Sequence, residues 1–319
     1  MANFAGVDIG GTKIIVAIGD ETGRLSSRTR LATAQFTHGP DALDAIADAI
    51  QALSEEAGIP MNSLTAIGIG CPGPLKAGQL LKTANRPTWE GLDIENGLHM
   101  RCGLPTFVEN DATAAAIAES LYGAGKGAPE MIYVTVSTGI GAGIVVNGHR
   151  HAGVHGNAGE LGHIVINPEG VLCSCGHYGC LETLASGTAI ARMAQEQQQA
   201  SPVLRQVDTV DASVVFAGAL QGDSVCQAIL QTAAQYLGLG LSYLVNLYNP
   251  QVIVLGGGVI VHHHEWLEAI RHATEQFSLA PLFHAVTIVP ARLGADSGIQ
   301  GAIAAAVSGH AFGSATRVV

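Results

Sequence analysis

Two patterns of apolar residues alternate along the chain. Short continuous apolar runs are typical of buried strands, and apolar positions three or four apart are typical of amphipathic helices. Residues 4–9 form the first such run, a glycine turn follows, and residues 14–18 and 24–31 are again rich in strand-forming types. Residues 41–57 have helical spacing, and Gly58 stops them. The opening is therefore predicted as a strand, a tight turn, two returning strands and a helix.

The same plan recurs later in the chain. Residues 131–136 predict a strand, 137–143 a second glycine turn and 144–146 a returning strand, so two related halves are expected. Further strands are predicted at 65–70, 105–108, 251–255 and 286–289, and further helices at 94–101, 112–122, 183–198, 223–247, 262–273 and 297–307. Strands alternate with helices while antiparallel hairpins open both halves, which indicates a mixed-sheet α/β fold. Neither glycine turn has the spacing of a dinucleotide-binding fingerprint or a P-loop.

Composition narrows the class of protein. The chain has 319 residues, 48% of them apolar, which is enough for two lobes. Only 13% are charged and the net charge is -11, which argues against a large nucleic-acid footprint. The N-terminus does not resemble a signal peptide, and no apolar run reaches the roughly 20 residues of a membrane helix. A cytoplasmic protein without nucleic-acid or membrane partners is expected.

Three of the six cysteines lie within eight residues, in the order C-x-C-x4-C. Cys173, Cys175 and Cys180, together with His163, provide the ligand set of a closed structural zinc site. His177 is an alternative ligand, and Cys175 as a nucleophile is the alternative function of this stretch. The remaining cysteines are scattered singly and are interpreted as small buried apolar residues: Cys71, Cys102 and Cys226.

Two carboxylates flank this cysteine-rich stretch. Glu160 and Glu182 stand at its two ends. Paired carboxylates suit neutral hydroxyl groups, although solvated surface charge is the usual fate of glutamate. His163 has a second ring nitrogen for such a hydroxyl.

The glycine turns indicate a phosphate-bearing ligand. Asp8 ends a strand beside Gly10, Gly11 and Thr12, and so offers a carboxylate for hydrated Mg²⁺ and open backbone N–H groups for phosphate oxygens. The turn at 137–143 adds the Thr138 hydroxyl, and a third glycine run, 256–258, leaves a buried strand where a helix begins. Three such turns favour a nucleotide over ordinary tight turns.

Asp111 follows a strand and opens a helix. Capping that helix is the simplest role for Asn110 or Asp111. A carboxylate there could also orient a hydroxyl that attacks ATP and accept its proton, with Asn110 holding the sugar. Residues 80–91 lack periodicity and are predicted as a surface loop, and residues 262–264, three histidines, as a solvated helix face.

These motifs together resemble the ROK family of sugar kinases and repressors. The matching stretches are DIGGTK at 8–13, ENDA at 109–112, STGIGAG at 137–143, GELGH at 159–163, CSCGHYGCLE at 173–182 and LGGGV at 255–259. The resemblance implies the two-lobed actin-like ATPase (ribonuclease H-like) fold and ATP-dependent phosphorylation of a hexose at its 6-hydroxyl, with Asp111 as base. It further implies sugar contacts from Gly73, Asn110, Asp111, Glu160, His163 and Glu182, zinc held by His163, Cys173, Cys175 and Cys180, and nucleotide contacts from Asp8, Gly10, Gly11, Thr12, Lys13, Thr138, Gly139, Gly256, Gly257 and Gly258.

The resemblance leaves several branches open. Repressors of the family carry an N-terminal helix-turn-helix, for which the seven residues before Asp8 leave no room, so a sugar sensor without activity is the less favoured alternative. Glucose is the expected substrate. N-acetylmannosamine, N-acetylglucosamine and allose remain alternatives, as does polyphosphate in place of ATP. The family also implies a homodimer and two lobes, a small one at 1–120 joined by 298–319 and a large one at 121–297.

Overall fold

The computed structural model of this chain describes residues 1–76, 78–81 and 87–312. Its contacts divide the chain into two compact units. The first comprises Met1–Gly127, Gly143–Ala158 and the chain from Ala295 onward, and the second comprises Ala128–Ala142 and Gly159–Gly294. Each unit is therefore built from separate stretches of sequence.

The described elements follow the predicted order closely. The strands are β1 (Asn3–Ile9), β2 (Lys13–Asp20), β3 (Leu25–Ala32), β4 (Leu64–Cys71), β5 (Leu75–Lys76), β6 (Gln79–Leu80), β7 (Thr106–Asn110), β8 (Met131–Val136), β9 (Ile140–Val146), β10 (His149–Arg150), β11 (Val252–Gly256) and β12 (Thr287–Pro290). The helices are α1 (Gly39–Glu56), α2 (Ile94–Cys102), α3 (Asp111–Leu121), α4 (Leu181–Ala185), α5 (Gly187–Glu196), α6 (Ala212–Leu220), α7 (Ser224–Tyr248), α8 (Gly258–His262), α9 (Leu267–Phe277), α10 (Ala280–Phe283) and α11 (Ser297–Phe312).

Two five-stranded sheets share one plan. The first has the order β3-β2-β1-β4-β7 and the second the order β10-β9-β8-β11-β12. In the first sheet β1, β2 and β3 pair antiparallel, whereas β1, β4 and β7 pair parallel. In the second, β8, β11 and β12 are parallel. The mixed sheets and the duplicated arrangement predicted from the two glycine turns are confirmed.

Alternation along β1 and β4 divides the first sheet into two different faces. On one face, apolar residues of β1, β2 and β4 pack with α1. On the other face the strands carry glycines at alternate positions, and α11 lies against them. An added Cβ on Gly68 would overlap the Ala302 carbonyl oxygen, and one on Gly6 would lie 2.9 Å from Ile303 Cδ1. The absence of side chains at these positions allows the α11 backbone to approach the sheet.

Gly68→Ala is expected to destabilise the first unit by about 3 kcal/mol or more, because overpacking against backbone leaves no rotamer to adjust. Urea unfolding measures the change. Gly70→Ala is the matched control, since Gly70 lies two residues along the same strand and its added Cβ would meet Ala114 Cβ at an ordinary 3.6 Å. Equal loss of unfolding free energy in the two variants would contradict this account of the α11 contact.

Three sequence predictions need correction. The helix predicted at 183–198 is broken at Ser186, which caps α5 by accepting a hydrogen bond from Ala189 N at 3.1 Å. The helix predicted at 262–273 is broken after α8, so the three histidines form no helix face, and the His263 ring stacks on Phe216 with centroids 3.7 Å apart. Trp89, within the predicted surface loop, is a core residue with 2% of its surface exposed.

Among the isolated cysteines, Cys71 and Cys226 are buried as expected, but Cys102 is only partly so. α6, which was not predicted from the sequence, packs on α7. Within the described part of the chain, no single helix is long and apolar enough to cross a membrane. Taken together α6 and α7 meet that test of length and composition, but they are bent by 118° at the break between them.

Candidate active site

Polar groups of the first unit gather at the carboxyl ends of its three parallel strands. The register places Asp8 opposite Gly70, and Cys71 opposite Asn110. An added Cβ on Gly73 would lie 3.0 Å from Asn110 Nδ2, so the loop after β4 packs directly on this amide. Gly73, Asn110 and Asp111, all predicted to contact sugar, thus lie together in the first unit.

The junction of β7 and α3 fixes the geometry of the predicted base. Asn110 is the N-cap of α3, and its Oδ1 accepts from Ala112 N at 2.9 Å. Asp111 is the first helical residue, and its Oδ1 accepts from the same N–H at 2.8 Å. Helix capping and orientation of the Asp111 carboxylate are therefore achieved by the same backbone group.

Asp8 lies within electrostatic reach of Asp111. Burial, and then the negative charge of Asp111, raise the pKa of Asp8 to about 6, and Lys13 opposes them. A Cβ on Gly298, in the first turn of α11, would lie 2.5 Å from Asp8 Oδ2, so the helix start closes over this carboxylate. A partly buried carboxylate with a carboxylate neighbour favours binding of a cation. The predicted turn itself is tight, since Gly10 N donates to Lys13 O at 2.8 Å.

The sequence did not predict an ion pair beside this cluster between a buried carboxylate and a partly exposed arginine. Arg150 Nε lies 2.9 Å from Glu109 Oε1, and Glu109 is the residue directly before Asn110. Burial raises the pKa of Glu109 to about 7, Arg150 lowers it, and Glu95 raises it further. The attraction of Arg150 thus does not fully offset the cost of burying this carboxylate.

Glu109→Gln is expected to change how stability depends on pH. Between pH 4.5 and about 7, Glu109 is protonated in the folded wild-type protein but ionised in the unfolded protein, because folding raises its pKa. This group therefore lowers wild-type stability as pH rises through that window. The variant, compared with wild type, should gain up to about 3 kcal/mol between pH 5 and 8.

Thermal unfolding at pH 5, 6, 7 and 8 measures this difference. Glu56→Gln, at an exposed glutamate of α1, is the control and should follow wild type throughout. A Tm difference between Glu109→Gln and wild type that is constant from pH 5 to 8 would contradict the burial argument.

Two glycine turns of the second unit lie side by side, because they follow the parallel neighbours β8 and β11. A Cβ on Gly257 would lie 2.6 Å from Thr135 Oγ1, and one on Gly258 would lie 3.6 Å from Ser137 Oγ. Gly257 has a φ of +85° and caps the start of α8, as the sequence predicted for this run. Thr138 is exposed at the tip of the other turn. Together, the two turns place hydroxyl groups beside glycine backbone that carries no side chains.

The cysteine-rich loop of the second unit brings four metal-ligating atoms together. The ligand atoms of His163, Cys173, Cys175 and Cys180 all lie within 4.8 Å of one another. Cys175 Sγ and Cys180 Sγ are 3.5 Å apart, as are Cys173 Sγ and His163 Nδ1. A tetrahedral zinc with bonds of about 2.0–2.3 Å separates its ligands by roughly 3.5–3.8 Å. The donor set and its spacing fit zinc.

His177 is placed differently from His163. Its Nδ1 lies 3.5 Å from Cys175 Sγ, yet it is not part of the four-residue group. Burial, and then a hydrogen bond with Cys175, raise the pKa of the buried Cys180 thiol to about 12. Zinc binding requires deprotonated thiolates, so a bound cation would favour the charged form that burial disfavours.

The residues flanking this loop differ from one another. His163 directs Nδ1 toward Cys173, and its Nε2 lies 3.9 Å from Oε2 of the exposed Glu160. Glu182 is half-buried, and its Oε2 accepts from Ile140 N at 2.9 Å. The simple expectation of solvated surface carboxylates fits Glu160 but not Glu182.

Comparison with known proteins identifies relatives of this chain both by sequence and by structure. A family model described as ROK family matches residues 4–308. A glucokinase of Halalkalibacterium halodurans is 35% identical over 307 residues, 93% of this chain and 93% of that protein. The crystal structure of a ROK hexokinase from Thermus thermophilus superposes with a TM-score of 0.84 at 37% identity, covering 95% of this chain and 97% of that one.

A third relative was solved with ligands. The ROK family glucokinase of Streptomyces griseus, in complex with glucose and AMPPNP, has a TM-score of 0.78 and 35% identity, and covers 94% of this chain and 98% of that one. Paired mixed sheets with glycine turns at their strand ends thus define an α/β protein of the actin-like ATPase fold. The chain belongs to the ROK family.

Proposed function

We propose that this protein transfers the γ-phosphate of ATP to the 6-hydroxyl of a hexose, with glucose as its substrate. The observation that carries the proposal is the similarity to glucokinases over nearly the whole chain, including the structure solved with glucose and AMPPNP. The strand-end cluster of Gly73, Asn110 and Asp111 supplies the chemistry such a reaction needs. N-acetylmannosamine, N-acetylglucosamine and allose are the alternative substrates.

Asp111 acts as the base. Its carboxylate orients the 6-hydroxyl, whose oxygen forms a bond to the γ-phosphorus as the bond from that phosphorus to the β–γ bridging oxygen breaks, leaving ADP. The hydroxyl proton passes to Asp111. Because the transition state of phosphoryl transfer is loose, the base mainly positions the nucleophile, and it accepts the proton late.

The remaining predicted residues bind the two substrates. Asp8 would help to hold a hydrated Mg²⁺, which would supply positive charge beside the phosphates, and the turn at 10–13 binds phosphate oxygens. Thr138, Gly139 and the run 256–258 bind the nucleotide through N–H and hydroxyl groups. In the second unit, a sugar hydroxyl that accepts from His163 Nε2–H and donates to Glu160 would satisfy both groups across their 3.9 Å separation.

Zinc has a structural role in this proposal. His163, Cys173, Cys175 and Cys180 would hold the metal, and four protein ligands would leave no open position for substrate. The metal braces the loop between the two sugar-binding glutamates. We further propose that the protein is a cytoplasmic homodimer.

A coupled ADP-release assay over glucose, mannose, allose, fructose, N-acetylglucosamine and N-acetylmannosamine tests the proposal. Glucose is expected to give the highest kcat/KM with ATP. Polyphosphate in place of ATP, with glucose 6-phosphate as the readout, tests the donor. Tight sugar binding without ADP release from any sugar would instead identify a sugar sensor.

A further inference from the structure

We propose that Glu182 is a positioning residue for the nucleotide: its carboxylate holds the turn at 137–139 in the conformation that binds phosphate. This role goes beyond the sugar contact assigned to Glu182, and it rests on the proposed function because that function assigns Thr138 and Gly139 to the nucleotide. All of the residues that carry the argument belong to the second unit.

The first observation is a charge-assisted hydrogen bond. Glu182 lies in the first turn of α4, two residues after Cys180, and its Oε2 accepts from Ile140 N at 2.9 Å. Ile140 is the first residue of β9 and directly follows the turn. Without this carboxylate the Ile140 N–H would be a partly buried donor that lacks its hydrogen bond to Glu182. Leaving such a donor unsatisfied costs more free energy than the hydrogen bond itself contributes.

The second observation is that the turn has no side chain where the carboxylate enters. A Cβ on Gly139 would overlap Glu182 Oε2. Glycine at this position therefore does more than free the backbone for a phosphate, because it also makes room for the glutamate. An alanine there would displace the carboxylate from Ile140 N.

The third observation is that the same stretch of chain supports the turn at its other end. Gly187 N donates to Ser137 O at 2.8 Å, and Ser137 N donates to Gly139 O at 2.9 Å. A Cβ on Gly162 would overlap Ile140 O, so the backbone beside His163 also packs against the turn. Residues 162–187 thus contact both ends of the turn, while Thr138 between them stays exposed.

The negative charge of Glu182 and its hydrogen bond to Ile140 N should affect nucleotide binding in opposite directions. A carboxylate this close to a phosphate-binding turn repels an anionic nucleotide, so direct charge effects oppose binding. A hydrogen bond that fixes the turn favours binding by lowering the ordering cost that the nucleotide must meet. The length and the charge of the side chain at position 182 therefore have opposite effects on nucleotide affinity. Substitutions can change the length or the charge separately.

Three variants use this difference. Glu182→Gln keeps an acceptor oxygen at the same reach and removes the charge, so AMPPNP should bind as tightly as to wild type or more tightly. Glu182→Asp keeps the charge but is one methylene shorter, and Glu182→Met keeps the length but removes the acceptor. Both variants should bind AMPPNP about 5- to 100-fold more weakly than wild type, which is the effect of leaving one buried donor unsatisfied.

Isothermal titration of AMPPNP·Mg²⁺ without sugar is the primary measurement. Hydrogen exchange of the segment that contains Ile140 is the second, and protection should be retained in Glu182→Gln and lost in Glu182→Asp. Glu169→Gln, at an exposed glutamate of the same loop, is the control and should match wild type in both measurements. Zinc content and thermal unfolding establish that each variant is folded.

Wild-type AMPPNP affinity in Glu182→Asp, with unchanged exchange at Ile140, would overturn the proposal. Weak binding to Glu182→Gln with normal binding to Glu182→Asp would also overturn it, since charge rather than reach would then matter. A wild-type protein that releases ADP with a hexose while the Asp variant binds AMPPNP normally contradicts only this inference. A wild-type protein that neither binds AMPPNP nor releases ADP contradicts the proposed function as well.

Discussion

Asp111→Asn is expected to lower kcat by about 10²- to 10⁴-fold, the range typical of removing a general base. Hexose affinity should change little, because an asparagine retains an oxygen that can accept from Ala112 N, as Asp111 Oδ1 does at 2.8 Å. Only the capacity to accept a proton is removed. ADP release under saturating substrates measures kcat, and calorimetric titration with glucose measures affinity.

Asp93→Asn is the matched control for this variant. Asp93 is the N-cap of α2, where its Oδ1 accepts from Asn96 N at 2.9 Å, and aspartate and asparagine cap helices about equally well. Its kcat and unfolding free energy should both stay near wild type. Wild-type turnover in Asp111→Asn would show that another group accepts the proton.

Cys175→Ser is expected to release the zinc and to lower Tm by about 10 °C or more. Structural zinc contributes about 10–16 kcal/mol of apparent binding free energy in small peptides, and a loss of about 7 kcal/mol lowers the Tm of a 319-residue protein by that amount. Cys175 is exposed, so the serine creates no cavity. The hexose KM should rise, because Glu160, His163 and Glu182 all lie at the ends of the loop.

Metal analysis and thermal unfolding test this prediction, and Cys102→Ser is its control. Cys102 is partly buried and lies outside the ligand group, so its variant should retain stoichiometric zinc. Wild-type protein without zinc would remove the metal assignment altogether. Retention of zinc by Cys175→Ser, with unchanged KM, would mean that three ligands suffice.

Local patterns made most of the fold predictable from the sequence. The glycine turns marked where strands end, and the apolar spacing of α1 gave a helix within two residues of its observed bounds at each end. The C-x-C-x4-C spacing indicated a metal group, although it left His163 and His177 as alternative ligands. Asn110 and Asp111 could be placed at a helix start because β7 and α3 are joined without a loop.

Contacts distant in sequence account for what could not be predicted. Ser186 looks like an ordinary helical residue until its hydroxyl caps α5. α6 is apolar at almost every position, so it shows no amphipathic period, and the stacking of His263 on its Phe216 could not be expected. Arg150 lies in a polar hairpin, and nothing local shows that it pairs with the buried Glu109. Glu182 illustrates the same limit, since its partner precedes it by 42 positions.

The packing of α11 on the first sheet has a consequence for how the protein is made. Gly6 and Gly68 leave a bare face on strands that are translated early, whereas the helix that covers this face ends at Phe312. The second unit has all of its residues once Gly294 has been synthesised. The first unit still lacks the helix that covers its sheet at that point. Nascent chains should therefore acquire the second unit before the first unit is completed.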